Sequence, residues 1–241
     1  MSISIYDIIL QKNERNSIMY EDIFDQEVQK KMDDFFLKNL ASHGKLISFK
    51  KGEIIKQEDF ESIYILLEGE LNQIMHSKEG DEIIFFRVVE GNIFGEMAFF
   101  DKTSTFALNK AVTKGSVSVV NRKFVESKLK EDPQIYHYFM ISMIRKYRAI
   151  MSELASFHFN DSSGRLADFL VRLYYTEDGA DKSKISIILT HEEIANRLGL
   201  NRITVTRAMN DFKEKGLIDI INRKIIIKDI DTLKKMTNIL V

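Results

Sequence analysis

The apolar positions of this chain change period along its length, and each change marks a change of architecture. Residues 1–40 read mostly as helix, with polar clusters and no chemistry of their own. Between residues 45 and 130 the apolar residues fall in short runs, Leu46–Phe49, Ile63–Leu67, Ile83–Val89 and Val117–Val120. Turn signals separate them: Lys51-Gly52, Glu68-Gly69, Glu79-Gly80-Asp81 and Glu90-Gly91-Asn92. Short strands spaced by glycine turns predict an antiparallel sandwich or barrel. At Asp132-Pro133 the texture changes. An Asp at the N-cap followed by Pro in the first turn starts a helix, and the segment from Gln134 to Phe159 contains neither Gly nor Pro. Its apolar residues Tyr136, Met140, Met143, Tyr147, Ile150, Leu154 and Phe157 alternate by four and three without slipping. That is a heptad seam, which asks for a partner helix. A symmetric dimer supplies one; a core helix of a single chain is the other reading. Ile135, Phe139, Ile144 and Met151 lie beside the seam, where they can face the chain's own sandwich.

After a break at Asn160–Gly164, a second amphipathic helix is predicted from about Arg165 to Tyr175, then a polar loop and a short strand, Ile185–Leu189. Thr190-His191-Glu192-Glu193 has the form of a capping box, in which Thr190 accepts from the Glu193 amide and the Glu193 side chain reaches back. The short helix that follows stops at Gly199, suited to a left-handed C-terminal position. Asn201 caps a further helix from Arg202 to about Lys215, whose Val205, Ala208, Met209 and Phe212 form a buried stripe. Its opposite face carries Arg202, Ile203, Thr206, Arg207, Asn210 and Lys213. Two such helices around a Gly turn make a helix–turn–helix, whose second helix can enter a DNA major groove. Arg202 and Arg207 suit guanine edges or phosphates, and the hydroxyls of Thr204 and Thr206 suit phosphates or bases. Leu217–Ile221 and Lys224–Lys228, flanking Asn222-Arg223, read as a β-hairpin wing. Arg223 and Lys224 at its tip either lie on a backbone phosphate or are solvated on a plain two-stranded cap.

Charge sharpens this picture. The chain of 241 residues carries a net charge of −1. The window Arg197–Lys228 nonetheless holds eight Lys and Arg against three acidic residues, a surplus of five. A positive segment in a neutral chain points towards a polyanion, and a solvated face is the plainer alternative. Absence of cysteine excludes disulfides, thiolate zinc sites, thiolate iron–sulfur clusters and a cysteine nucleophile. No run of about 18 apolar residues exists, so no membrane-spanning helix is expected. Met1–Leu10 lacks the form of a signal peptide, and a soluble, cytoplasmic protein is expected. His191-Glu192-Glu193 begins like a metalloprotease helix, but that motif needs a second His where Ala195 stands. His43, His76, His137 and His158 are scattered, and no metal site or enzyme activity is expected.

Three stretches together carry a family resemblance. They are Gly52–Gly69 (GEIIKQEDFESIYILLEG), Glu90–Phe100 (EGNIFGEMAFF) and Leu189–Arg207 (LTHEEIANRLGLNRITVTR). Their order resembles the cyclic-AMP receptor protein and fumarate–nitrate reduction regulator (CRP/FNR) family of bacterial transcription factors, over roughly residues 40–230. The resemblance implies an α+β fold. An N-terminal helical segment (1–40) would precede a jelly-roll, cyclic-nucleotide-binding-like effector domain (41–131, a double-stranded β-helix). A dimerisation helix (132–160) and a winged helix–turn–helix (161–241) would follow. It implies a homodimer on a two-fold symmetric double-stranded DNA site, and a partnership with RNA polymerase. It also implies an effector pocket beside the seam helix, built from Gly95, Glu96, Met97, Thr105, Phe106, Ile150 and Met151. DNA contacts would come from Thr190, Asn201, Arg202, Ile203, Thr204, Thr206, Arg207, Asn210, Arg223 and Lys224.

The departures from the family pattern matter as much. Cyclic-AMP-dependent members follow the Gly-Glu pair with an Arg-Ser pair for the cyclic phosphate, and the matching positions here are Thr105 and Phe106. No arginine lies between Glu96 and Arg122. The positions that read adenine fall on Ile150 and Met151. Weak or absent cyclic-AMP binding is therefore expected, with some other small-molecule effector in its place. The family's iron–sulfur cluster is excluded with the cysteines. Glu96 could instead hold a ligand hydroxyl or tie its own loop amides. The aromatic run Phe94, Met97, Phe99, Phe100, Phe106 is either core or the lining of an apolar pocket. Ile203 stands where many members place a cytosine-reading glutamate, and a thymine methyl is the contact open to it.

Overall fold

The computed structural model describes residues 25–57, 60–80, 82–105, 107–176, 189–222 and 224–238. Their contacts divide the chain into two compact units, one spanning Glu27–Tyr147 and the other running from Arg148 onward. The division falls inside one long helix, so the segment 132–160 is shared between the units.

The first unit opens with helix α1 (Gln26–Asn39) and a 3-10 turn, Ala41–His43. Eight strands follow: β1 (Lys45–Phe49), β2 (Ile54–Ile55), β3 (Ser62–Glu68), β4 (Leu71–His76), β5 (Glu82–Val88), β6 (Ile93–Phe94), β7 (Leu108–Ala111) and β8 (Gly115–Asn121). A short helix α2 (Glu96–Asp101) interrupts them, and α3 (Arg122–Glu131) and the long α4 (Gln134–Phe159) close the series. The strands form two four-stranded sheets, ordered β1-β8-β3-β6 and β2-β7-β4-β5, with every pair antiparallel. The expected sandwich is therefore present.

β3 shows why the sequence there reads as an unbroken apolar run. Side chains alternate across a strand, and both faces of β3 are covered. Ile63 and Ile65 pack with Met32 and Phe36 of α1, Val125 and Leu129 of α3, and Ile135 and Phe139 of α4. Tyr64 and Leu66 point the other way, into a core with Leu71, Val88, Phe94 and Val117 between the sheets. Six elements differ from the sequence expectation. The stretch read as strands and turns up to residue 130 also contains the short helix α2 and ends in the helix α3, capped by the Asn121 side chain on the Phe124 amide. The short strands β2, β6 and β7 and the strand β4 were not among the predicted runs; two of them are only two residues long. Such strands show no period of their own, because pairing partners far along the chain define them.

The second unit takes the remainder of α4, then α5 (Ser162–Thr176), α6 (His191–Leu198), α7 (Arg202–Glu214), the hairpin β9 (Ile218–Ile221) and β10 (Lys224–Ile227), and α8 (Ile230–Lys235). Its core joins Leu166 and Leu170 of α5, Ile194 and Leu198 of α6, Val205, Met209 and Phe212 of α7, and Ile218, Ile225 and Leu233. The expected strand Ile185–Leu189 falls largely outside the described residues, as does most of the segment 1–40.

Candidate nucleic-acid interface

The helix–turn–helix is set by local chemistry. Thr190 accepts from the Glu193 amide at 3.1 Å, and Glu193 Oε2 accepts from the Thr190 amide at 2.7 Å and its hydroxyl at 2.8 Å. The capping box predicted from the sequence is thus complete. Gly199 ends α6 with φ of 59°, a left-handed conformation that a Cβ strains. Asn201 Oδ1 then caps α7, accepting from the Thr204 amide at 2.8 Å and from its hydroxyl at 2.9 Å. The buried stripe of α7 leaves Arg202, Ile203, Arg207 and Asn210 exposed together on the other face, with Ile203 64% exposed. Lys224 is exposed at the start of β10, beside Asn222, whose φ of 51° makes the tight hairpin tip. Arg223 lies outside the described residues.

The threonines behave differently from the arginines. A carbonyl or carboxylate oxygen only accepts, so each hydroxyl that bonds one spends its proton there. Thr190 donates to Glu193, Thr204 to Asn201 Oδ1, and Thr206 to the Arg202 carbonyl at 2.9 Å. Thr206 Oγ1 is also 2.8 Å from His191 Nδ1. The sequence offers the Thr204 and Thr206 hydroxyls to phosphates or bases, and within the protein each also has an acceptor of its own. His191 had been weighed only as a metal ligand, and its contact with Thr206 spans 15 residues of sequence with no local signal.

Beneath this surface lies a cluster of charge. Asp168 of α5 is fully buried and ion-paired with Arg172. Burial pushes the Glu153 carboxyl of α4 above the usual range and the neighbouring Asp168 adds to this, while Arg172 and Arg197 pull it down. Charges from α4, α5 and α6 thus neutralise one another in a place where any one alone would be costly.

Gly95, with φ of 87°, starts α2 against the Tyr64 ring. Glu96 is buried, and its partner within the protein is a lysine. Lys146 of α4 donates to Glu96 Oε1 at 2.6 Å and to the Ile93 carbonyl at 2.8 Å. A cation does reach the cassette, from 50 residues away. Met97 is 60% exposed, and Thr105 is exposed, its hydroxyl accepting from the Ala107 amide. Phe106 lies outside the described residues. Phe94 and Phe99 are core, as the plainer reading of the aromatic run has it. Ile150 and Met151 are exposed on α4.

All seven seam residues of α4 are exposed, from 39% at Met143 to 63% at Tyr147. Beside them Ile135 and Phe139 are buried in the first unit, whereas Ile144 and Met151 are exposed and widen the apolar stripe. Among the described residues no cluster of three or more His, Asp or Glu could hold a metal, and no helix is long and apolar enough to cross a membrane.

Comparison with known proteins places these features. Residues 46–132 match the cyclic nucleotide-binding domain and residues 164–236 the Crp-like helix-turn-helix domain. The chain is similar to the CRP-like cAMP-activated global transcriptional regulator of Mycobacterium tuberculosis, 25% identical over 78% of this chain and 86% of that one. It is also similar to the global nitrogen regulator of a Nostoc strain, 27% identical over 73% of this chain and 80% of that protein. In fold it resembles FixK2 from Bradyrhizobium japonicum, with a TM-score of 0.70 and 20% identity over 81% of this chain and 98% of that one.

Proposed function

The chain belongs to the CRP/FNR family of transcriptional regulators, with a DNA-binding helix–turn–helix, and on that premise we propose that it acts as a homodimer on a palindromic promoter site. The observation that carries this reading is the pairing of two exposed surfaces. One is the seven-residue apolar seam of α4; the other is the α7 face bearing Arg202, Ile203, Arg207 and Asn210. An apolar stripe repeating by four and three is the surface that a second copy covers and takes out of water. Two copies related by a two-fold axis then present two α7 helices to two half-sites. Arg202 and Arg207 reach guanine edges or flanking phosphates, and Ile203 packs on a thymine methyl. Lys224 and the wing tip lie along the backbone. The complex works in the cytoplasm by recruiting or blocking RNA polymerase.

The β-roll responds to an effector other than cyclic AMP. Thr105 offers no cation to a cyclic phosphate, and Lys146 is already bound to Glu96 and the Ile93 carbonyl. Effector binding acts by moving the α4 helices and so the spacing of the two α7 helices.

Selection from a random DNA pool with the purified full chain tests the reading. A two-fold symmetric site whose half-site differs from the family's GTGA or TTGA core is expected. Enrichment of an asymmetric site, or of none with and without cell extract, refutes it and leaves a small-molecule sensor that does not read DNA. Micromolar cyclic-AMP affinity by calorimetry refutes the effector assignment.

A further inference from the structure

His191 stands at the start of α6, and its ring is bonded to the helix that reads DNA. Thr206 Oγ1 donates its one proton to the Arg202 carbonyl at 2.9 Å and lies 2.8 Å from His191 Nδ1. A hydroxyl has one proton and cannot give it twice. With that proton on the Arg202 carbonyl, the second bond is Nδ1–H donating to Thr206, and this is the arrangement we take for the imidazole. If the ring is neutral, Nδ1 carries the hydrogen and Nε2 a bare lone pair; if it is charged, both nitrogens carry hydrogens. Nε2 has no protein partner among the described residues.

The neutral tautomer is wrong for a polyanion. A phosphate oxygen only accepts, so a lone pair on Nε2 is repelled by it, whereas an N–H on an imidazolium makes a charge-assisted bond. The first helix of a helix–turn–helix crosses the DNA backbone, and His191 is joined through Thr206 to the face that carries Arg202 and Arg207. We propose that His191 is a proton-coupled contact to the DNA backbone, bonding a phosphate only as the imidazolium, so that one proton is taken up when DNA binds. Thr206 is the positioning residue that enforces this, by denying the neutral ring the tautomer that could donate from Nε2. Among the described residues, the charged groups that line the same cavity as the ring are Glu192 from its own helix and Arg202 from α7, and the wing lines it with Ile220 and Ile225. Glu193 is held in the capping box with Thr190.

This inference rests on the DNA-binding reading and extends it to one residue and one proton. The test is the affinity of the full chain for a labelled duplex carrying its selected site, by fluorescence anisotropy between about pH 6 and 8, where histidines exchange their proton. Wild-type affinity should rise as pH falls, approaching about tenfold per pH unit over the upper part of that range, the slope of one linked proton. His191→Gln should be flat by comparison. Thr206→Val should have a shallower slope and bind more tightly than the wild type at high pH, because the freed ring can donate from Nε2 while neutral. Thr206→Ser should restore the slope. A flat wild type, a slope that survives His191→Gln, or a Thr206→Val that is weaker at every pH with its slope intact overturns the proposal. Affinity that rises with pH overturns it too, because it would mean that Nε2 accepts from a base. Absence of DNA binding by the wild type at every pH overturns the DNA-binding reading, and this one with it.

Discussion

Asp33 of α1 offers a direct test of how the first unit is held together. Its Oδ1 accepts from Gln29 Nε2 at 2.9 Å and from Asn92 Nδ2 at 3.1 Å, the latter in the turn before β6. Burial pushes its carboxyl up from 3.8 to about 6; the two hydrogen bonds and the nearby Arg145 only partly oppose this, and Asp34 adds to it. An acid whose pKa is raised in the fold is a liability when ionised. Above about pH 6 the folded state carries a charge it holds less well than the unfolded chain does. As pH falls from about 6 to about 4 the folded protein takes up a proton first, and the penalty is lifted. At about 1.4 kcal/mol per pKa unit, a rise of roughly two units amounts to about 3 kcal/mol. Asp33→Asn keeps an oxygen for both donors and removes the charge. It should stabilise the protein by about 2–3 kcal/mol at neutral pH, with the gain shrinking through pH 6 and gone near pH 4. Urea denaturation of both proteins at matched concentration, followed by circular dichroism across that range, measures it. A variant less stable than wild type at neutral pH, or a gain that does not change with pH, refutes the reasoning.

Three further outcomes are expected. Leu154→Asp puts an unpaired charge from each copy into the proposed seam, at a cost of several kcal/mol per ion, and sedimentation should show the mass halved; an unchanged coefficient removes the seam. Arg207→Ala should weaken binding to the selected site by about 1–3 kcal/mol if the side chain reads a base, and equal loss on random DNA would make it a phosphate contact only. Gly91→Ala meets two obstacles at once, a φ of 83° and an Asp33 Cβ 2.5 Å from the added carbon. Its melting temperature should fall by several degrees, as for a loss of about 1–3 kcal/mol; an unchanged melt would show that the turn relaxes freely.

What was legible in the sequence was what is encoded locally. The capping box at Thr190, the left-handed stop at Gly199 and the Asn201 cap each need only four or five residues to declare themselves. The seam of α4 declares itself by period. What was missed depends on distant partners. Strands β2 and β6 are two residues each and exist because β7 and β3 hold them. Helix α3 did carry a signal, in the Asn121 cap and the spacing of Val125 and Leu129, but it was masked by the β texture before it. Nothing near Lys146 announces Glu96, and nothing near His191 announces Thr206. The acceptors that surround the threonine hydroxyls within the protein became visible only in the coordinates.

The Lys146–Glu96 pair has a consequence for anything that would use that acid. A dissolved ligand normally competes with water and can be outlasted by dilution. Here it faces a rival fixed to the same chain, and a tethered group sits at an effective concentration around the millimolar range that no dialysis lowers. A visitor therefore gains Glu96 by displacing a resident that stays within reach to return.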